Sequence, residues 1–240
     1  MTAIAANLQA VRTRIAAAER AGGQNRGLGD GVPTVKLLAV SKTKSAAAIR
    51  EAHAAGQRAF AENYVQEGVD KILELGDLSL EWHFIGPLQS NKTRPVAEHF
   101  DWVHTVDREK IAQRLSEQRS AGKALLQVCL QVNVSGEASK GGVAPAELVA
   151  LARAVSAMPH LQLRGLMCIP EPTPDVTLQA QRFAQLRHLL ETLNAELGLS
   201  MDTLSMGMSD DLETAIAEGA TMVRIGSAIF GARGVPQAAA

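Results

Sequence analysis

From residue 36 onward, eight short apolar or β-branched runs alternate with segments of helical period, and this alternation constrains the fold more than any other feature of the chain. The runs are KLLAVS (36–41), RAFAE (58–62), WHFIG (82–86), WVHTV (102–106), LLQVCLQVNV (125–134), LRGLMCI (163–169), TLSMG (203–207) and MVRIG (222–226). Helical patterning occupies 45–55, 64–75, 93–99, 108–121, 145–157, 176–197 and 209–218 between them. Strands separated by helical crossovers form parallel sheets. Eight strands with seven crossovers predict one closed parallel (β/α)8 barrel of TIM type, a fold built from about 250 residues. The competing architecture, an open doubly wound sheet, is marked by a glycine-rich first βα turn. SKTKS after the first strand contains no glycine.

Ahead of the barrel, Ile4, Leu8, Val11 and Ile15 recur at helical spacing and predict an extra amphipathic N-terminal helix. The glycine-rich stretch that follows, ending in Pro33, reads as a surface loop. The domain expectation is therefore a helix and loop over 1–35 packed on the barrel, a ligand-binding barrel over 36–233, and a flexible tail over 234–240. The formal net charge is only −1, and 3% of residues are aromatic, so neither a basic field nor stacking platforms exist for nucleic acid. No apolar stretch reaches the roughly 20 residues needed to cross a bilayer, and the start lacks a secretory hydrophobic segment. A cytoplasmic location without membrane or nucleic-acid partners is expected. Cys129 and Cys168 lie in apolar runs and read as small buried hydrophobes rather than disulfide partners. No zinc-binding spacing is present, and no metal is assigned.

In a barrel of this type, ligand residues stand at the C-terminal ends of strands and in the following loops. SMGMSDD places Ser205 and Ser209 around Gly207, and RIGS adds Gly226 and Ser227. Loops after the seventh and eighth strands are the recurrent phosphate site of the fold. Either loop alone is explained as well by helix capping; together they point to a phosphorylated ligand. Lys42 and Lys44 follow the first strand, and a primary amine on the same face as a phosphate cradle suits an aldehyde-bearing phosphate ester bound as an imine. Pyridoxal 5'-phosphate (PLP) has that form. Lys42 adjoins the strand and is the more rigidly held of the two, whereas Lys44 approaches the next helix. Arg224 lies two residues before Gly226, so it points to the same side; it is either a structural ion-pair partner or a donor to the pyridine nitrogen. Asn63, His83, Asn133, Lys140 and Met167 also fall at or near strand ends, although for His83 a core role weighs as much.

LLAVSKTK, FAENYVQEGVDK, EWHFIGPLQSNK, LRGLMCIP and LSMGMSDDLETAIAEGATMVRIGSAIFGAR, in this order, resemble the YggS/PROSC-like family of pyridoxal phosphate homeostasis proteins. The resemblance covers nearly all of 36–233. It implies a single barrel related to the N-terminal domain of alanine racemases, with PLP held as an imine on the lysine of AVSK, here Lys42. It further implies that Ser205, Met208, Ser209, Gly226 and Ser227 surround the phosphate, that Arg224 approaches the ring nitrogen, and that Asn63, His83 and Met167 line the pocket. The family often carries threonine at the position of Ser227, and the hydroxyl is retained.

A racemase needs a second acid/base on the far face of its substrate, which related racemases supply as a tyrosine from an additional β-domain. The one tyrosine here, Tyr64, opens a helix. The expectation is a PLP-binding homeostasis protein without efficient catalysis, acting on vitamin B6 and amino-acid balance. A racemase of low activity is the first alternative and a class I aldolase the more remote one. The partner expectations are PLP itself, transient contact with PLP-dependent apo-enzymes, and a monomeric state.

Overall fold

The computed structural model describes residues 2–22, 35–136 and 141–231. Most of the glycine-rich loop, Lys140 and the 234–240 tail lie outside the described residues. The strands are β1 (Lys36–Val40), β2 (Ala59–Glu62), β3 (Glu81–Phe84), β4 (Trp102–Val106), β5 (Leu126–Gln131), β6 (Leu161–Met167), β7 (Thr203–Ser205) and β8 (Met222–Ile225). They form a closed barrel in sequential order. Every pair is parallel, and β1 closes the ring on β8 through Lys36 to Ala39 against Met222 to Ile225.

Helices α2 (Ala46–Ala54), α3 (Val65–Glu74), α4 (Thr93–His99), α5 (Glu109–Gln118), α6 (Leu148–Ser156), α7 (Val176–Leu197) and α8 (Leu212–Ala217) follow the first seven strands. Local chemistry sets several of their ends. The Ser45 side chain caps α2 by accepting from Ala48 N–H, and Asp175 caps α7 through Thr177 and Leu178 N–H. Gly198, in the left-handed conformation at φ 63°, ends α7. A short α9 (Ser227–Phe230) follows β8; four residues are too few to leave a periodic signal in sequence. The N-terminal α1 (Ala3–Gly22) buries Leu8, Val11 and Ile15 against α8 and α9, and Ile4 is half-buried.

Strand alternation divides the core in two. Outward-facing side chains such as Phe60, Phe84, Val103 and Val223 join the helices in one cluster, while Leu38, Val40, Ala59, Ala61, Ile85, Trp102, Cys129, Met167 and Met222 pack inside the barrel. The fifth strand is shorter than its apolar run suggests. Beyond Gln131 only Val132 makes an isolated bridge to Val143, because the chain turns back on itself there, with Gly142 packed against Val132 and Asn133 at φ 126°. Cys129 and Cys168 are fully buried and unbridged, and burial pushes both thiols up to about 12. No described helix is long and apolar enough to cross a membrane.

Candidate functional site at the C-terminal mouth

A cavity of about 330 Å³ opens at the C-terminal ends of the strands, within the range of small-molecule sites. Seven of the ten candidate residues line it: Lys42, Asn63, Met208, Ser209, Arg224, Gly226 and Ser227. Val40, Ile85 and Ile169 supply apolar wall, and Lys44, Asp210 and Gly231 complete it. Lys44 is thus part of the cavity; its Nζ also donates to the carbonyls of Phe230 and Gly231 at 3.2 Å each, tying the first βα loop to the end of α9.

Two glycines allow close packing at the ends of β7 and β8. Gly207 has φ 94°, and a Cβ there would stand 2.7 Å from the Ala215 Cβ. At Gly226 a Cβ would come within 3.3 Å of Val40, so its absence lets the end of β8 lie against β1. The helix after β7 starts later than its sequence pattern: residues 209–211 are turn, and the Asp211 carboxylate accepts from Met208 N–H at 2.6 Å. Arg14 of α1 donates to the Ser209 carbonyl at 3.0 Å while pairing with Glu213. The extra N-terminal helix therefore braces the loop that carries Ser209.

Ser205, His83 and Met167 are not in the cavity wall. All three are fully buried inside the barrel beneath it. Ser205 is committed to protein partners: Arg224 donates to its Oγ at 2.8 Å, and His104 Nδ1 lies 2.8 Å from the same oxygen. A second Arg224 nitrogen donates to the Cys168 carbonyl at 2.9 Å. His104 Nε2 is in turn 2.9 Å from His83 Nδ1, and His83 Nε2 lies 3.6 Å from Glu81 Oε2, a charge–dipole contact rather than a full hydrogen bond. Glu81 also accepts from Lys36 and from Trp102 Nε1, both at 2.8 Å, at the opposite mouth.

The donors and acceptors in this row determine its proton positions. The Glu81 carboxylate can only accept, so His83 presents its Nε2 proton to it, and Ser205, which accepts from Arg224, gives its own proton to His104 Nδ1. With its proton on Nε2, a neutral His83 accepts at Nδ1 from His104 Nε2–H, which leaves His104 Nδ1 as the acceptor for Ser205. Both rings are neutral in this arrangement. Burial, the main cause, holds both histidines below the ordinary value of 6.5, His104 further depressed by His83 and Arg224. Sequence reasoning missed His104, although the period-2 pattern of WVHTV places it on the inward face with Trp102.

The cavity residue Asn63 has a buried Oδ1 without a protein partner. Tyr64 beside it is 56% exposed and is not among the residues lining the cavity.

Residues 26–234 match the family model for the alanine racemase N-terminal domain. The chain belongs to that family. It is 64% identical over 233 residues to a protein of Pseudomonas aeruginosa named pyridoxal phosphate homeostasis protein, covering 97% of both chains. A protein of the same name from Escherichia coli strain K12 is 55% identical over 236 residues, covering 97% of this chain and 98% of the relative. Among solved structures, PipY of Synechococcus elongatus with PLP bound superposes with a TM-score of 0.77 at 44% identity, over 89% of this chain and 99% of PipY. Alanine racemase from Corynebacterium glutamicum shares the fold at 19% identity and a TM-score of 0.67; the match spans 99% of this chain and 62% of the racemase.

Proposed function

We propose that the cavity binds PLP, that Lys42 holds it covalently, and that the protein acts in intracellular PLP homeostasis without efficient turnover. The carrying observation is that Lys42 shares one cavity with the Ser209 and Ser227 loops and with Arg224. The residues suit the group. Ser209, Gly226 and Ser227 offer hydroxyl and backbone donors for a phosphate, Val40, Ile85, Met208 and Ile169 offer apolar surface for ring faces, and the unpartnered Asn63 Oδ1 is a polar atom that a ring substituent can satisfy. The PLP-bound PipY and the names of the curated relatives agree with this reading.

PLP supplies an electrophilic aldehyde and, when its ring nitrogen is protonated, an electron sink. Lys42 would hold the group through its neutral side-chain nitrogen, with the aldehyde oxygen released as water. Arg224 would face the ring nitrogen. Because a guanidinium donates only, it would keep that nitrogen as an acceptor and disfavour the protonated form on which carbanion chemistry depends. The exposure of Tyr64, outside the cavity wall, supports the absence of a tyrosine acid/base opposite Lys42.

Added PLP is expected to give the purified protein the absorbance of an imine, fixed by borohydride and lost in Lys42→Ala. A protein that stays colourless with PLP would sink the reading. Hydrogen exchange at the α-carbon of amino acids in deuterium oxide at useful turnover rates would overturn the non-catalytic part. Transfer of the bound cofactor to an apo-enzyme, faster than its spontaneous release, is the expected homeostatic readout.

A further inference from the structure

Lys42 is flanked on both sides by backbone groups tied to one buried ionic cluster. On its N-terminal side, the Ser41 carbonyl accepts from Lys71 Nζ at 2.7 Å, and the Ser41 hydroxyl donates to Glu62 Oε1 at 2.7 Å. On its C-terminal side, the Thr43 N–H donates to Glu67 Oε1 at 2.5 Å. Lys71 joins the two carboxylates, with its Nζ 2.8 Å from Glu62 Oε1 and 2.7 Å from Glu67 Oε1. The three ammonium protons thus have three acceptors, Ser41 O, Glu62 and Glu67.

This arrangement costs more than an ordinary βα turn requires. Glu62 is fully buried and Lys71 nearly so, and removing such charges from water carries a penalty that packed apolar residues would not incur. Burial raises the Glu62 carboxyl above its usual range even with Lys71 in contact. Thr43, at φ 63°, is the only non-glycine residue with positive φ among the described residues, and a β-branched side chain is disfavoured there. Backbone strain of this kind persists where surrounding bonds over-determine it, and it concentrates at functional positions. Here the over-determining bonds bracket Lys42, whose amine is proposed to react in the cavity.

We infer that Glu62, Glu67 and Lys71 are positioning residues for Lys42. They fix the peptides on either side of it, so its side chain leaves the loop toward the cavity. They therefore govern the strength of the covalent link while leaving the phosphate contacts of the β7 and β8 loops untouched. The inference rests on the PLP reading above.

Glu67→Ala is the informative variant. Glu67 stands at the edge of the cluster, and its loss leaves the buried Lys71–Glu62 pair in place. Two ligands separate the roles: PLP, titrated by imine absorbance, and pyridoxine 5'-phosphate, which has an alcohol in place of the aldehyde, titrated by calorimetry. Glu67→Ala is expected to weaken PLP binding about tenfold, the size of one charge-assisted hydrogen bond, with pyridoxine 5'-phosphate unchanged. Glu67→Gln keeps an oxygen acceptor for both Thr43 and Lys71 and should stay near the parent. Unaltered PLP affinity in Glu67→Ala, equal weakening of both ligands, or a Glu67→Gln variant as impaired as Glu67→Ala would each overturn the inference. A parent protein that forms no imine with PLP would instead overturn the PLP reading itself.

Discussion

Lys42 and Arg224 reach the same cavity from adjacent strands, and the barrel supports them by opposite means. Around Lys42 the loop is anchored by full charges, with Lys71 between Glu62 and Glu67 and the backbone of Ser41 and Thr43 bonded to them. Arg224 is anchored by neutral groups, a serine hydroxyl and a backbone carbonyl, with two uncharged imidazoles behind the serine. The difference suits what the proposed function asks of each residue. An imine-forming lysine must leave its loop in one direction, which favours rigid anchoring of the backbone beside it. An arginine that offers protons to a ring nitrogen must keep its charge, and a carboxylate partner would compete for its donors. The neutral row satisfies Arg224 without such a competitor.

The largest expected effect tests the charged side. Lys71→Met leaves Glu62 buried without its counter-ion, and breaking a buried pair in this way costs about 3–5 kcal/mol. Denaturant unfolding should show that loss. A cost as small as that of a surface substitution would mean that the cluster is solvated and that the contrast between the two sides fails.

A smaller effect tests the neutral side. Ser205→Ala removes the link between Arg224 and His104 and leaves a buried donor and a buried acceptor unpaired, at about 1–3 kcal/mol. The same variant should weaken PLP binding without abolishing the imine, because Lys42 and its anchors are untouched. Loss of the imine itself would show that Ser205 acts on the ligand directly.

A further test of the neutral side is a loss of stability in mild acid. His83 and His104 are held below 6.5 when folded, mainly by burial, so the unfolded chain binds protons more readily than the native protein. Their contribution to stability is complete above pH 6.5 and is lost as pH falls below it, by up to about 1.4 kcal/mol per pH unit for each ring. Glu81, depressed to about 2 because contacts with His83 and Lys36 outweigh its burial, contributes its own acid loss below the ordinary carboxylate value of 4.5. Melting temperatures measured between pH 7 and pH 5 should therefore fall, and His104→Gln should flatten that slope. An unchanged slope in the variant would move the acid sensitivity elsewhere.

Much of the mouth could be read from the chain because strand ends and the loops after them are local features. Lys42, Ser209, Gly226 and Ser227 follow their strands directly, and all four line the cavity. His83 and Ser205 were also expected at the mouth, yet they lie beneath it. Alternation along a strand says which face a side chain takes, but its height within the barrel depends on how the strands are tilted and staggered. That stagger pairs Ser205 with Met167 and Met222, placing all three inside the barrel. Lys44 stands just ahead of α2, as expected, and it also lines the cavity, with the end of α9 supplying acceptors for its Nζ.

The sequence by itself determined a closed parallel barrel with an added N-terminal helix and an amine on the same face as two glycine-bearing loops. These follow from periodicity and from the rule that loops after strands share one end. Only the tertiary structure decided what holds the two cations. The bond between His104 and Ser205 joins residues 101 positions apart, and that between His83 and His104 joins residues 21 apart. Such partners meet only when the barrel closes, and no local pattern of residues encodes the meeting.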